Sequence, residues 1–176
     1  MRVEIVDYDP HWPELYRREA ERIRAALGPR VRQLEHAGST AVPELAAKPV
    51  IDILLAVDRS ADEEAYLPAL TRAGYTLRVR EPGWFEHRLC KGPDTDVNLH
   101  VFSFGCREIA RVLQFRDWLR AHPADRDLYA RSKLALAQRE WESVDDYARA
   151  KGAVIMEILG RAQKACGADF SQPAPG

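Results

Sequence analysis

The stretch HAGSTAVPELAAKPVIDILLAV, residues 36–57, gathers a Gly38-Ser39-Thr40 turn, Lys48, and Asp52 inside an apolar run. Glycine lets a backbone approach a ligand closely, and the Ser39 and Thr40 hydroxyls with neighbouring N–H groups can cradle a phosphate. Asp52 stands where a buried strand would hold Val or Ile. A buried carboxylate costs several kcal/mol unless it is paired or holds a cation, so Asp52 either has a partner or faces a site. Phosphate-contacting groups beside a carboxylate able to hold Mg²⁺ or Mn²⁺ form the arrangement that in-line transfer from a nucleoside triphosphate requires.

Further along, DVNLHVF places Asp96, Asn98 and His100 two residues apart. Strand alternation puts these three and Phe102 on one face, with Val97, Leu99 and Val101 on the other. Asp96 is a candidate second metal-holding carboxylate. His100 either completes a one-metal site with Asp52 or acts as a general base on an acceptor hydroxyl. Glu86 and Arg88 read as co-facial in the same way. His36, directly before the turn, suits orienting it, whereas His11, His87 and His122 read as surface or capping residues.

Two copies of one small pattern occur near the C-terminus, Tyr129-Ala-Arg-Ser-Lys133 and Tyr147-Ala-Arg-Ala-Lys151. Tyr and Lys four apart share a helix face. Each pair is either packing with a snorkelling lysine or a cation presented to an anion. Arg116, in FRDWLR, is a weaker anion candidate, because Phe115, Trp118 and Leu119 mark that helix as core.

These residues need elements to hold them. Apolar spacing predicts a helix over 12–27, ended by Gly28-Pro29, and another over 62–73, capped by Ser60 or Asp62 and ended by Gly74. Strands are predicted at 31–36, 50–57, 75–80, 84–90 and 96–102, with Pro49 pushing Lys48 toward extended geometry. Three helical segments follow near 106–121, 124–140 and 145–164. The pattern is α+β with a helical C-terminal subregion. At 176 residues it reads as a single domain over 1–168, followed by a Pro- and Gly-rich tail, 169–176, expected to stay disordered.

The chain carries 26 Lys and Arg against 27 Asp and Glu, so it has no general attraction for nucleic acid or membrane. Three cysteines without CxxC spacing suggest a reducing cytoplasm. No apolar run reaches membrane-spanning length.

The segments HAGSTAVPELAAKPVIDILLAV, NLHVF, FRDWLRAHP, YARSK and YARAK resemble the GrpB family, related in fold to the polymerase-beta-like nucleotidyltransferases. The resemblance runs from about Val3 to Ala165. It implies a nucleotidyltransferase-like mixed β-sheet flanked by helices, with the cleft beside the Gly-Ser turn. It further implies metal-dependent nucleotidyl transfer from a triphosphate to an acceptor that the sequence leaves open. The alternative is a nucleotide-binding or accessory protein without turnover, since family members also occur fused behind dephospho-coenzyme A kinase domains. By the same resemblance Lys133, Tyr147 and Lys151, with Lys48, contact the nucleotide and its phosphates. The chain departs from the wider superfamily at one point: the second carboxylate position is Leu54, which ligates nothing. Glu86 is the spatial substitute the sequence offers.

Overall fold

The computed structural model describes residues 2–166. The tail expected over 169–176 lies outside them. Five strands form one sheet: β1 (Gln33–Ala37), β2 (Ile51–Val57), β3 (Thr76–Glu81), β4 (His87–Lys91) and β5 (Val97–Ser103), in spatial order β1-β2-β5-β4-β3. β2 and β5 run parallel and the other three pairings are antiparallel. The five helices are α1 (Trp12–Leu27), α2 (Leu67–Arg72), α3 (Arg107–Ala121), α4 (Pro123–Ala137) and α5 (Val144–Cys166). Among them none is long and apolar enough to cross a membrane.

Alternation along β2 and β5 decides which layer each residue joins. Ile51, Ile53, Leu55 and Val57, with Val97, Leu99 and Val101, pack against Ile23 and Leu27 of α1 and Leu70 of α2. The opposite face carries Asp52, Leu54 and Ala56 beside Asn98, His100 and Phe102. Part of that face is dry, where Leu54, Ala56 and Phe102 meet Ile109 of α3. A third cluster joins Val42 and Leu45, after the Gly-Ser-Thr turn, to Leu119, Tyr129 and Ile158 of α3, α4 and α5. The C-terminal helices are thereby fixed onto the turn, and the polar end of the β2–β5 face opens beneath them.

Two local expectations change. The helix predicted over 62–73 is a 3-10 turn, Glu63–Ala65, followed by the short α2. Ser60 does not cap it; its hydroxyl donates to the Glu86 carbonyl at 2.7 Å. The strand predicted from residue 84 starts at His87, because Phe85 and Glu86 adopt φ values of 54° and 51° and close a turn instead. Glu86 is therefore off the strand, its side chain exposed, and it is no substitute for the missing carboxylate. Arg88 is buried and bonds Glu63.

Candidate functional site

β1 ends at Ala37, opposite Asp52 in register, and the chain turns at once through Gly38 with φ 69° and ψ −172°. A Cβ at Gly38 would collide with Asp52 Oδ2, so the turn lies directly on that carboxylate. The 3-10 turn Ser39–Ala41 follows. Thr40 donates its hydroxyl proton to the Val50 carbonyl at 3.2 Å, and so accepts from His36 Nε2 at 2.9 Å. Burial drives the His36 pKa down to about 4, which keeps that ring neutral. Thr40 is thus the brace of the turn, with its hydroxyl fully engaged inside the protein, rather than a free phosphate donor.

A cleft of about 340 Å³ opens beside the turn, lined by Ser39, Thr40, Lys48, Asp52, Asn98, His100, Lys133, Tyr147 and Lys151. A smaller recess of about 210 Å³ shares Ser39, Asp52 and Lys151 and reaches Gly38, Arg111, Phe115 and Arg116. Three lysines from three separate segments therefore face one carboxylate. The two tyrosine–lysine pairs form as the helix spacing dictates, each ammonium lying 4.7 Å from its own tyrosine ring centroid.

The paired lysines differ in tertiary setting. Lys133 is 2 % exposed and donates to Ser39 Oγ at 3.1 Å and the Ala46 carbonyl at 2.6 Å, holding the turn against α4. Lys151 is half-buried, and its ammonium has no hydrogen-bond acceptor among the described residues. Burial, with Lys151 nearby, pushes the Lys133 pKa down to about 7; burial also lowers that of Lys151. The Tyr147 hydroxyl is buried with no hydrogen-bond partner among the described residues, a polar atom that a ligand can satisfy.

Asp52 accepts from His100 Nε2 at 3.2 Å, each side chain 30 % exposed. Behind His100 the hydrogen bonds continue: His100 Nδ1 meets His87 Nε2 at 3.0 Å, and His87 Nδ1 meets Glu81 at 2.8 Å. The two imidazoles thus form a continuous file between two carboxylates, each ring engaged at both of its nitrogens. Burial lowers the pKa of His87. His87, expected at the surface, is 4 % exposed and central to this file.

Two other expected positions fall elsewhere. Leu54 is 1 % exposed, inside the apolar cluster with Phe102 and Ile109. Asp96 lies one residue ahead of β5, exposed and ion-paired with Lys91, and lines neither cavity that Asp52 lines.

The family model for the GrpB protein matches residues 2–161. The chain belongs to the GrpB family. A UPF0157 protein of Halalkalibacterium halodurans is 61 % identical over 160 residues, covering 91 % of this chain and 82 % of that protein. The crystal structure of GrpB from Enterococcus faecalis superposes with a TM-score of 0.82 at 33 % identity, covering 94 % of this chain and all of that one. A dephospho-CoA kinase of Mycolicibacterium paratuberculosis is 30 % identical over 186 residues, covering 91 % of this chain but 46 % of the kinase.

This GrpB-family site does not offer the donors of a two-metal centre. Asp52 is the one carboxylate lining the cleft, and among the described residues no group of three or more His, Cys, Asp and Glu could hold a metal ion. Mg²⁺ is commonly held by one or two carboxylates together with waters and substrate phosphates, so Asp52 would supply one donor and a ligand and water the rest. The spacing that marked Asp96 was correct for the face but not for the pairing partner. Arg111 and the Glu81–His87 end of the file had no local signal, because only the β4–β5 pairing brings His87 beside His100.

The depressed Lys133 pKa has a testable sign. The unfolded chain protonates this amine up to an ordinary value near 10.5 and the folded chain only up to about 7, so between those values the unfolded state binds more protons. Stability contributed by this group therefore rises with pH across that window and is flat below it. The neutral amine still has two N–H donors for Ser39 and Ala46, so deprotonation breaks neither bond. Urea denaturation at pH 7 and pH 9.5 is expected to show wild type gaining stability relative to Lys133→Met. Equal pH slopes would place Lys133 in contact with water.

Proposed function

We propose that the cleft binds the phosphate chain of a nucleoside triphosphate, with Lys151 and Lys48 on the phosphates, Lys133 positioning Ser39, and the Gly38–Ser39 turn against the anion. One observation carries this reading: three lysines converge on a cleft lined by a single carboxylate, and Lys151 lacks a hydrogen-bond acceptor of its own among the described residues. A polyanion supplies the charge that the cluster lacks. A divalent ion would arrive with the triphosphate as its counter-ion, as part of the ligand. The relative named dephospho-CoA kinase handles a nucleotide-containing coenzyme by its name, which fits this ligand class; this chain matches less than half of it, so its phosphoryl transfer is not carried over.

A second reading, nucleotidyl transfer, is favoured by the His100–Asp52 hydrogen bond. The Asp52 carboxylate, oriented by the His100 N–H, is suited to accept the proton of an acceptor hydroxyl as that oxygen attacks the α-phosphorus and pyrophosphate leaves. The acceptor is not specified by the cleft.

Titration calorimetry with the four nucleoside triphosphates, with and without Mg²⁺, tests the first reading. Charge-assisted contacts are worth ~1.5–3 kcal/mol, so Lys151→Met is expected to weaken triphosphate binding about tenfold or more while leaving a nucleoside without phosphates unaffected. Lys133→Met is expected to do the same and also to lower apo stability by ~1–3 kcal/mol, since it strands the Ala46 carbonyl. On sequence alone, loss of either lysine charge would hold or raise the melting temperature, and the burial of Lys133 reverses that for one of the two. Wild-type affinity in both variants would remove the nucleotide reading. Pyrophosphate release with candidate acceptors separates the second reading from the first.

A further inference from the structure

A second groove is larger than the Asp52 cleft. About 720 Å³ in volume, it lies between the start of α1, the chain after the Ser39–Ala41 turn, and the junction of α3 and α4. Four arginines line it, Arg17, Arg116, Arg120 and Arg126, against two carboxylates, Glu35 and Glu44. The rest of the wall is rigid and largely apolar: Pro13, Pro43 and Pro123 with the rings of Tyr8 and Tyr16. Tyr16 is held in place by stacking on His36 at 4.9 Å.

Charge accounting separates the four arginines. Arg116 is charge-paired: it bonds Glu35 at 2.8 Å, the His36 carbonyl at 2.9 Å and Asp117 at 2.9 Å. Arg126 bonds the Leu119 and Arg120 carbonyls and Glu44. Both groove carboxylates are thereby taken. Arg120 bonds only the Ala41 carbonyl, through Nε, and its nearest carboxylate is Asp117 at 3.8 Å, already bonded to Arg116. Arg17 makes no hydrogen bond or ion pair among the described residues. Burial and the neighbouring Arg116 lower the Arg120 pKa, as expected for a guanidinium held near a like charge without a full counter-ion.

We infer that this groove is a second anion site, for a small phosphate monoester carrying a planar or apolar body. Arg17 is unpaired among the described residues and Arg120 only shares Asp117 with Arg116, which leaves room for a dianion, and a guanidinium meets phosphate oxygens in bidentate geometry. The proline and tyrosine walls suit the organic part, and the volume falls within the range of small-molecule pockets. The inference does not depend on what the Asp52 cleft binds. The two sites nonetheless share one turn, with Ala41 lining the groove and Ser39 and Thr40 lining the cleft.

Calorimetry on the full chain with phenyl phosphate, inorganic phosphate and phenol tests it. Phenyl phosphate is expected to bind at least tenfold more tightly than inorganic phosphate, with phenol not binding measurably. Arg17→Gln and Arg120→Gln are each expected to weaken phenyl phosphate tenfold or more, and Lys151→Met to leave it unchanged. Arg120 also holds the Ala41 carbonyl, so Arg17→Gln, on the exposed side of α1, carries the test should Arg120→Gln fold poorly. The proposal is overturned by an absence of saturable binding, by wild-type affinity in Arg17→Gln, or by loss of binding in Lys151→Met, which would put the phosphate in the cleft instead.

Discussion

Leu54→Asp is expected to destabilise the fold by ~3–5 kcal/mol, the range for an uncompensated charge in a core. By its resemblance to the polymerase-beta-like nucleotidyltransferases the sequence has Leu54 where a second carboxylate is expected, and the substitution would supply that acid. The structure places that side chain among Ala37, Ala56, Phe102 and Ile109, with 1 % of its surface exposed. Those four side chains offer no cation or hydrogen-bond donor, so among them the new carboxylate is held either charged and unpaired or neutral with a raised pKa. The loss therefore shrinks as pH falls from the raised folded-state pKa toward the ordinary carboxylate value of about 4 in the unfolded chain, and grows as pH rises across that window. Since whole domains are stable by about 5–15 kcal/mol, a urea midpoint at pH 7 should move by a large fraction of the transition. An unshifted midpoint together with a melting temperature raised by Mn²⁺ would show instead that this position is wet and belongs to the site.

Leu54 also shows how far local pattern carries. Period-two alternation correctly set Asp52 and Leu54 on one face of β2, and Asn98 and His100 on one face of β5. It could not say that the face is divided, dry where α3 lies and wet where it does not, because that division depends on the packing of a helix more than fifty residues away. The same limit explains Asp96. It has the right parity for the polar face, but the strand begins one residue later and Lys91, across the β4–β5 hairpin, claims its carboxylate. Glu86 fails for a local reason. Two consecutive non-glycine residues with positive φ are uncommon, and Pro82-Gly83 made the turn look complete before it was. In the helices, four-residue spacing gave both tyrosine–lysine pairs, and only the tertiary contact of α4 with Ser39 and Ala46 distinguishes a strut from a free cation. The arginine groove is assembled from separate stretches of chain, and of its arginines only Arg116 stood out in the sequence.

Gly38 joins the fold to the site, and Gly38→Ala is expected to damage both. At φ 69° and ψ −172° its backbone lies where essentially only glycine is found, and forcing a side chain there costs ~1–3 kcal/mol before any contact is counted. The added methyl would also collide with Asp52 Oδ2. Neither partner can yield freely: Asp52 is fixed by the Ala37 register on one side and by the His100 hydrogen bond on the other, while the turn is braced by Thr40, His36 and Lys133. The total is expected to reach ~2–4 kcal/mol, with triphosphate binding weakened as the turn or the carboxylate is displaced. A double-mutant cycle separates the two causes. In an Asp52→Ala background the collision is gone and only the backbone strain remains, so Gly38→Ala should cost less there by about 1 kcal/mol or more. An equal cost in both backgrounds would mean that the turn does not rest on the carboxylate, and that Gly38 is required by its backbone geometry alone.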